Sequence, residues 1–226
     1  MADKIFSYPA LVVDAASPVN WVGIKRSATD LVDASSATNS SANLYELIEQ
    51  ALDLAGLTLS DVATVLYCEG PGSMLSIRST VMTIRAWEGI GITGATHLFT
   101  YNSLQLGAAL LANDSKISAS EAILVTDARR NAWNALELPE NSSLRIIENA
   151  DLELDPRPKL TLSGFPRWTK TKATFQEIPY LPSRLFADER FLRIVRPVPF
   201  AAPLNLRESD FRKWTPKIHS APVNPK

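Results

Sequence analysis

Two carboxylates at the ends of apolar segments are the first residues whose types and positions could do chemistry. Asp14 ends the segment Ala10–Asp14, and Asp127 ends a second apolar segment at 122–127. Carboxylates at equivalent strand ends could together hold Mg²⁺ through water. Aspartate at a strand end is also an ordinary turn-forming residue. Asp14 and Asp127 are therefore candidate metal-binding residues, with turn formation as the alternative.

The turn Glu69-Gly-Pro-Gly-Ser73 is the second candidate, because it joins an apolar segment to a helical pattern. A glycine-rich turn at this position directs backbone N–H groups over a helix N-terminus, where a phosphate would fit. Gly70, Gly72 and Ser73 are thus candidate phosphate-binding residues. The sequence has no GxxxxGK[ST] pattern, and the carboxylate of Glu69 would repel an anion. The alternative is a tight turn that needs glycine for its backbone angles.

Other chemistries find little support in the residues. Cys68 is the single cysteine, so no disulfide can form within the chain. His97 and His219 are far apart, and no HxxH, HxxxH or CxxC occurs, which predicts no dedicated transition-metal site. None of Ser17, Ser73 and Cys68 has an obvious base nearby in the sequence, as nucleophilic catalysis would require. The aromatic residues are scattered, without the spacing of a stacking platform for nucleic-acid bases.

Composition indicates a globular protein with an uneven charge distribution. The 226 residues suffice for one large domain or two small lobes, and the net charge of −1 predicts no strong attraction to nucleic acid. Residues 1–150 carry 9 Lys/Arg and 16 Asp/Glu, whereas residues 151–226 carry 14 and 8. The basic part could contact RNA phosphate, but it lacks a dense Lys/Arg run, so a solvated face or a contact with the acidic part is the favoured interpretation. The absence of a signal peptide, of an apolar span and of cysteine pairs predicts a cytoplasmic protein without a membrane segment.

The spacing of apolar residues predicts alternating strands and helices, which is typical of a mixed sheet with helices against its faces. Eleven of the fifteen prolines lie beyond residue 150, so a loop-rich layer is expected there, with a helix only at 181–195. The remaining predicted elements are strands at 10–14, 20–25, 30–33, 62–68, 92–97, 122–127, 132–138 and 144–147, and helices at 44–55, 74–87 and 101–112. Thr100 is the predicted cap of the last helix.

The predicted helix at 74–87 has apolar residues on two opposite sides. A surface helix has a single apolar stripe, so two stripes imply two packing partners. One side should face the sheet, and the small residues on the other would admit a second helix at close range. The alternative is a central helix buried on both sides within one chain. The first side holds Ile77, Val81, Ile84 and Trp87, and the second holds Leu75, Ser79, Met82, Ala86 and Gly89.

Three motifs, in this order of elements, resemble the TsaB family, also called YeaZ. Leu11-Val-Val-Asp14-Ala-Ala-Ser17 is similar to the family's strand followed by Asp-Thr-Ser/Ala-Thr. Gly70-Pro-Gly-Ser73 with Arg78 is similar to Gly-Pro-Gly-Ser-Phe-Thr-Gly-hydrophobic-Arg, and Asp127-Ala-Arg129 to an Asp-Ala-Arg before a β-hairpin. Asn205-Leu-Arg207, with Trp214 after it, is similar to a closing Tyr-Leu-Arg. The resemblance covers residues 10–138 well and the rest poorly.

The resemblance implies an α/β fold of the actin/Hsp70-like (ASKHA, ribonuclease H-like) class, with two lobes of mixed β-sheets flanked by helices. The implied division is an N-terminal lobe at 1–98, a C-terminal lobe at 99–202 that is Pro-rich after 150, and a C-terminal segment and tail at 203–226. The implied pairing surface lies on the helices at 44–55 and 74–87. Its residues are Tyr45, Ile48, Leu52, Leu75, Ser79, Met82 and Ala86.

The resemblance also implies an accessory role. TsaB-type proteins carry little or no catalysis and pair with the catalytic paralogue TsaD, or with a second copy through the same helices, and the ATPase TsaE docks at the heterodimer. The complex transfers a threonylcarbamoyl group, from an adenylate made by TsaC, to the adenosine just after the anticodon of ANN-reading tRNAs. No cofactor is then expected on this chain, ATP and Mg are expected on partner subunits, and tRNA is contacted only indirectly.

The chain departs from the family pattern at the glycine-rich turn. Glu69 replaces the usual Arg, and Met74-Leu75-Ser76 replaces Phe-Thr-Gly. These departures weaken the interpretation that this chain binds a nucleotide. Two alternatives from other classes stay open: a small actin-like ATPase or phosphotransferase using Asp14, Asp127 and the Gly70–Ser73 turn, and a peptidase, for which no metal ligands or nucleophile–base pair are visible.

Overall fold

Two mixed β-sheets form the framework of the protein. The computed structural model describes residues 6–36, 43–95, 97–112, 121–139 and 143–207. The predicted loop at 113–120, most of the predicted loop at 35–43 and the tail at 216–226 lie outside the described residues. The strands are β1 (Ala10–Asp14), β2 (Asn20–Lys25), β3 (Leu31–Ser36), β4 (Thr64–Cys68), β5 (His97–Tyr101), β6 (Ile123–Asp127), β7 (Ala132–Glu137), β8 (Arg145–Glu148), β9 (Lys159–Leu162), β10 (Gln176–Ile178) and β11 (Arg196–Pro197).

The two sheets repeat one strand order. The first is ordered β11-β5-β4-β1-β2-β3, and the second β10-β9-β6-β7-β8. In the first sheet β1 is antiparallel to β2 and parallel to β4, and in the second β6 is antiparallel to β7 and parallel to β9. The sequence shows no repeat, so this duplication appears only in the topology. The prediction of mixed sheets flanked by helices is confirmed.

Helices cover the outer face of the first sheet and the space between the sheets. Apolar residues of the first two helices, Asn43–Ala55 and Met74–Ile90, form one cluster with the outer face of the first sheet. Leu104 of the third helix shares a second cluster with Phe99 of the first sheet and Leu124 of the second, so one apolar core joins both sheets. The α-helices are α1 (Asn43–Ala55), α2 (Met74–Ile90), α3 (Ser103–Leu111), α4 (Asn149–Leu154) and α5 (Pro182–Phe186), and short 3₁₀ helices span Leu59–Asp61 and Glu189–Arg193.

The segment between α2 and α3 differs from the prediction. The predicted strand at 92–97 is wrong, because β5 spans His97–Tyr101 and α3 begins after the cap residue Asn102. The Asn102 side chain accepts the N–H of Gln105 at 2.8 Å, the role predicted for Thr100. Thr100 instead lies in the strand, where its hydroxyl donates to the carbonyl of Tyr67 at 3.0 Å.

The boundary between the lobes also differs from the predicted one. The predicted boundary at residue 98 falls inside β5, which belongs to the first sheet. Residues beyond 150 contribute β9 and β10 to the second sheet, and β11 returns to pair with β5. The single helix expected at 181–195 is replaced by α5 and the 3₁₀ helix Glu189–Arg193, because the Asp188 side chain caps a new helical start by accepting the N–H of Arg190 at 2.8 Å.

Lys25 at the end of β2 is a buried charge that the sequence did not reveal. Its Nζ donates to the carbonyl oxygens of Phe186 at 2.8 Å and Ala28 at 2.9 Å, and it lies 5.2 Å from the centre of the Phe191 ring. Burial lowers the pKa of Lys25. The lysine therefore ties the first sheet to the elements of the basic C-terminal part.

Candidate functional site

One face of α2 is an exposed apolar surface. Ile77, Val81 and Ile84 are buried against the first sheet, as predicted. On the opposite face Leu75 is 71% exposed and Met82 62% exposed. In the described part of the chain, α2 is therefore buried on one side only, which does not agree with the alternative of a helix buried on both sides. The residues on this face, all exposed except the half-buried Ser79, are spaced four, three, four and four apart, which is typical of a helix-pairing seam. We call this set the α2 stripe: Leu75, Ser79, Met82, Ala86 and Ile90.

Tyr45 on α1 extends this surface. Its side chain is about half exposed, and its hydroxyl lies 2.8 Å from Oγ1 of Thr83 on α2. This hydrogen bond fixes the position of Tyr45 relative to the helix that carries the α2 stripe. The two helices therefore present their exposed apolar side chains on neighbouring parts of one surface.

Ile48 and Leu52 were predicted to lie on the pairing surface, but the structure buries both. Both are buried, at 4% and 8% exposure, in the apolar cluster beneath α1. The inner side of α1 includes both residues, so they hold the helix to the sheet. Ile90, which continues the α2 stripe four residues after Ala86, was missed although the same periodicity reaches it.

Asp14 lies in a closed polar cluster between the lobes. Its side chain is fully buried, and its Oδ2 accepts the hydroxyls of Tyr101 at 2.5 Å and Tyr180 at 2.6 Å. Its Oδ1 accepts the N–H of Ala16 at 3.0 Å. Burial raises the pKa of Asp14, and the hydrogen bonds oppose that rise. An ion could reach this carboxyl only if the tyrosines moved, so the geometry favours a structural role over the predicted metal-binding one.

We expect Asp14→Ala to lower the free energy of unfolding by about 3 kcal/mol, since it leaves two buried tyrosine hydroxyls without an acceptor. Asp14→Asn keeps an acceptor oxygen and should lose less than half as much. Urea denaturation followed by circular dichroism measures both, with Asp53→Ala on the exposed side of α1 as the control. An Asp14→Ala protein as stable as the Asp53→Ala control would contradict the structural role.

The same carboxyl should give stability a pH dependence. Because the folded pKa of Asp14 lies above its ordinary value of 3.8, the folded state binds this proton more tightly than the unfolded state. Stability should therefore fall as the pH rises from 3.8 through the raised pKa, and this fall should be absent in Asp14→Asn. Urea denaturation curves recorded between about pH 4 and 8 give the free energy of unfolding of both proteins and test this prediction.

The glycine-rich turn packs against the loop after β1. The N–H of Ser73 donates to the carbonyl oxygen of Ala16 at 2.8 Å, and the Ser103 hydroxyl donates to that of Pro71 at 2.6 Å. Gly70 has a φ of 107°, a conformation that favours glycine. The Ser73 N–H and the Pro71 carbonyl are therefore engaged in hydrogen bonds within the protein. The interpretation as a tight turn is therefore better supported than a phosphate loop.

Glu69 beside the turn has a partner that the sequence did not suggest. Its carboxylate accepts Nη2 of Arg196 at 2.6 Å. Burial raises the pKa of Glu69, and the guanidinium of Arg196 opposes that rise. The substitution of Glu for the family's Arg is thus accommodated by an ion pair.

Asp127 joins two surface segments. Its Oδ1 accepts the N–H of Arg129 at 2.6 Å, and its Oδ2 accepts the N–H groups of Trp168 at 2.8 Å and Thr169 at 2.6 Å. The hydrogen-bond partners of Asp14 and Asp127 are therefore different. Among the described residues, no three His, Cys, Asp or Glu side chains lie together as a metal-binding group.

A cleft of about 250 Å³ lies between the lobes and brings the motifs together. The Gly70–Ser73 turn bounds one side and Asp127–Arg129 the other, and Asn205–Arg207 closes an edge. Nη2 of Arg207 donates to the carbonyl oxygen of Arg129 at 3.0 Å, so two of these segments are directly bonded. Three motifs that are far apart in the chain thus meet at one place.

Comparison with known proteins is consistent with this arrangement. Residues 32–137 match the family model described as "TsaD: tRNA N6-adenosine threonylcarbamoyltransferase". A crystal structure described as an uncharacterized protein with similarity to peptidase YEAZ from Pseudomonas aeruginosa aligns with a TM-score of 0.62 at 15% identity, over 88% of this chain and 99% of that one. YeaZ from Pseudomonas aeruginosa aligns with a TM-score of 0.59 at 14% identity, over 87% and 99%. Curated protein sequences gave no significant match.

The duplicated sheets with their flanking helices define an α/β protein of the actin-like (ASKHA) fold class. Within this class the chain shares its fold with the YeaZ structures, and residues 32–137 are similar to the TsaD family model. In the part of the chain that the structure describes, no helix is long and apolar enough to cross a bilayer.

Proposed function

We propose that this chain is a TsaB-type accessory subunit in tRNA threonylcarbamoylation and that it pairs with a TsaD-type catalytic subunit. The match of residues 32–137 to the TsaD model and the YeaZ-like fold support a role in tRNA modification. The more specific part of the proposal is that this chain acts by pairing with the catalytic subunit and supplies no catalytic group itself. In this account ATP and Mg act on the partner subunits, and a TsaE-type ATPase docks on the pair.

The α2 stripe is the observation that carries the proposal. Three large apolar side chains on one helix face, Leu75, Met82 and Ile90, are each more than 60% exposed. Burying such a side chain contributes roughly 1.5–3 kcal/mol, so leaving three in water on one helix indicates a partner. Ser79 and Ala86 lie between them and are small enough for a second helix to approach closely.

The same surface can serve a second copy of this chain. A two-fold symmetric contact uses one patch on both molecules, and the α2 stripe has the apolar centre that such a contact needs. We therefore expect a homodimer when the chain is alone, and expect the TsaD-type subunit to displace it by competing for the same helix face.

A reconstituted modification assay tests the accessory role. We expect TsaC-, TsaD- and TsaE-type proteins of the same organism to threonylcarbamoylate tRNA only when this chain is added, and this chain alone to produce no modified tRNA. Full activity of the other three proteins without it would contradict the proposal. Modification by this chain alone would contradict its non-catalytic part.

The ATPase or phosphotransferase alternative rests on the cleft between the lobes. The cleft lies beside the Gly70–Ser73 turn and Asp127, as that alternative requires. Against it, Asp14 is enclosed by two tyrosines, and the Ser73 N–H is bonded to Ala16. We expect calorimetric titration with Mg·ATP to show no micromolar binding. A stoichiometric micromolar site would favour the alternative.

A further inference from the structure

The turn between β6 and β7 and the segment after β9 form one basic depression on the second lobe. Its volume is about 600 Å³, and its lining includes three cations and one exposed tryptophan but no carboxylate. Arg129 and Trp168 also line the cleft between the lobes, but the rest of the depression belongs neither to the cleft nor to the pairing surface. We call it the basic hairpin surface: Arg129, Arg130, Asn131, Trp168, Thr169 and Lys170.

Asp127 fixes the two halves of this surface relative to each other. Its carboxylate accepts N–H groups from Arg129 on the hairpin and from Trp168 and Thr169 on the facing segment. These backbone N–H groups donate to the carboxylate oxygens of Asp127 and keep its negative charge close to the backbone. The Arg and Trp side chains are thereby held side by side, as a preorganised binding surface requires.

The backbone of the hairpin is unusual. Arg129, Arg130 and Asn131 have φ values of 59°, 51° and 63°, a left-handed conformation that side-chain-bearing residues rarely adopt. Three such residues in a row persist only where the surroundings enforce them, and they occur preferentially at functional sites. The hydrogen bond from the Ala128 N–H to the Ala132 carbonyl closes the turn at 2.9 Å. Both arginines are exposed as a result.

The side chains combine positive charge with an aromatic face. The Arg129 guanidinium lies 4.4 Å from the centre of the Trp168 ring, and Trp168 is 54% exposed. Arg130 and Lys170 lie at the same depression and are exposed. Phosphates bind such cations, and unpaired bases stack on aromatic or guanidinium planes.

We infer that the basic hairpin surface binds RNA, with Arg130 and Lys170 on phosphates and the Trp168–Arg129 pair against an unpaired base. This inference rests on the proposed function, because it makes tRNA the natural RNA, and it revises the expectation that tRNA is contacted only through partner subunits. The net charge of −1 does not oppose it, since the local cations decide the field at short range.

Fluorescence anisotropy with end-labelled tRNA of the ANN-reading class tests the inference on the full chain. Non-specific contacts of this kind give dissociation constants of about 10⁻⁴–10⁻⁶ M, so titration should reach about 100 µM. Arg130→Glu/Lys170→Glu is the test variant. Arg184→Glu/Arg193→Glu makes the same charge change at two exposed positions on other elements and is the matched control.

We expect the test variant to bind at least tenfold more weakly than the wild type and the control variant to bind within threefold of it. The slope of log K against log salt should decrease by about two in the test variant, one for each lost phosphate contact. Trp168→Ala should also weaken binding, and Trp168→Phe should restore most of it because it keeps a stacking face.

Absence of wild-type binding up to the highest concentration would overturn the inference. Equal losses in the test and control variants would overturn it as well. The proposed function is tested separately, because the Arg130→Glu/Lys170→Glu chain should still pair with the TsaD-type subunit. Failure of pairing with RNA binding intact would reject the accessory role alone.

Discussion

Gly72→Ala is expected to destabilise the protein more than any other single methyl addition at the candidate site. A Cβ at Gly72 would lie 2.2 Å from the carbonyl oxygen of Ala16 and 2.9 Å from its Cα. These are backbone atoms, so the loop after β1 must move, and the hydrogen bond from Ser73 to Ala16 breaks. We expect a loss of about 3 kcal/mol in the free energy of unfolding, measured by urea denaturation.

Gly89→Ala is the matched control for this prediction. Apart from the adjacent backbone of α2 itself, no atom of the described residues lies within 4 Å of a Cβ at Gly89, which is inside α2. The substitution should raise stability by up to about 1 kcal/mol, because alanine favours a helix over glycine. If Gly72→Ala were as stable as Gly89→Ala, the tight packing of the turn would not explain its glycine, and the phosphate-loop interpretation would regain support.

Leu75→Asp is expected to abolish pairing with the TsaD-type subunit, as is Ala86→Arg. Each substitution places a charge in the middle of an apolar interface, where it would be buried without a partner. Leu75 is 71% exposed in the single chain, so the folded protein should tolerate the change. We expect the dissociation constant of the pair to rise at least a hundredfold, measured by calorimetry, with a thermal unfolding curve close to that of the wild type.

Leu154→Asp provides the control on the second lobe. Leu154 on α4 is 83% exposed, so the change from apolar to charged is the same but lies away from the α2 stripe. Its pairing should stay within twofold of the wild type. Equal affinity of the Leu75→Asp and Leu154→Asp chains for the partner would place the contact elsewhere.

Local patterns were sufficient where an element is defined by its own residues. β1 and β2 have the predicted bounds, since each is a short apolar run between turn residues. α1 and α2 were also predicted, because their periodicity is strong and Gly91 ends α2 in the left-handed conformation expected of a cap. The stripe residues of α2 follow from the same periodicity.

Long-range contacts decided the elements that the sequence did not reveal. β5 extends to Tyr101 because Tyr101 pairs with Cys68 of β4, and its side chain reaches Asp14, 87 residues earlier in the chain. β9 becomes a strand by pairing with β6, which a proline-rich sequence does not indicate. The contact of Arg129 with Trp168 likewise depends on the fold, so the scattered aromatic residues gave no signal of a stacking surface.

Size-exclusion chromatography with light scattering on the wild-type chain, mixed with the TsaD-type subunit of the same organism, shows directly whether the two proteins pair. We expect one peak with the mass of a one-to-one heterodimer, formed at the expense of any homodimer seen with the chain alone. Separate peaks at the masses of the unmixed proteins would contradict this expectation, because the α2 stripe would then be exposed without the partner assigned to it.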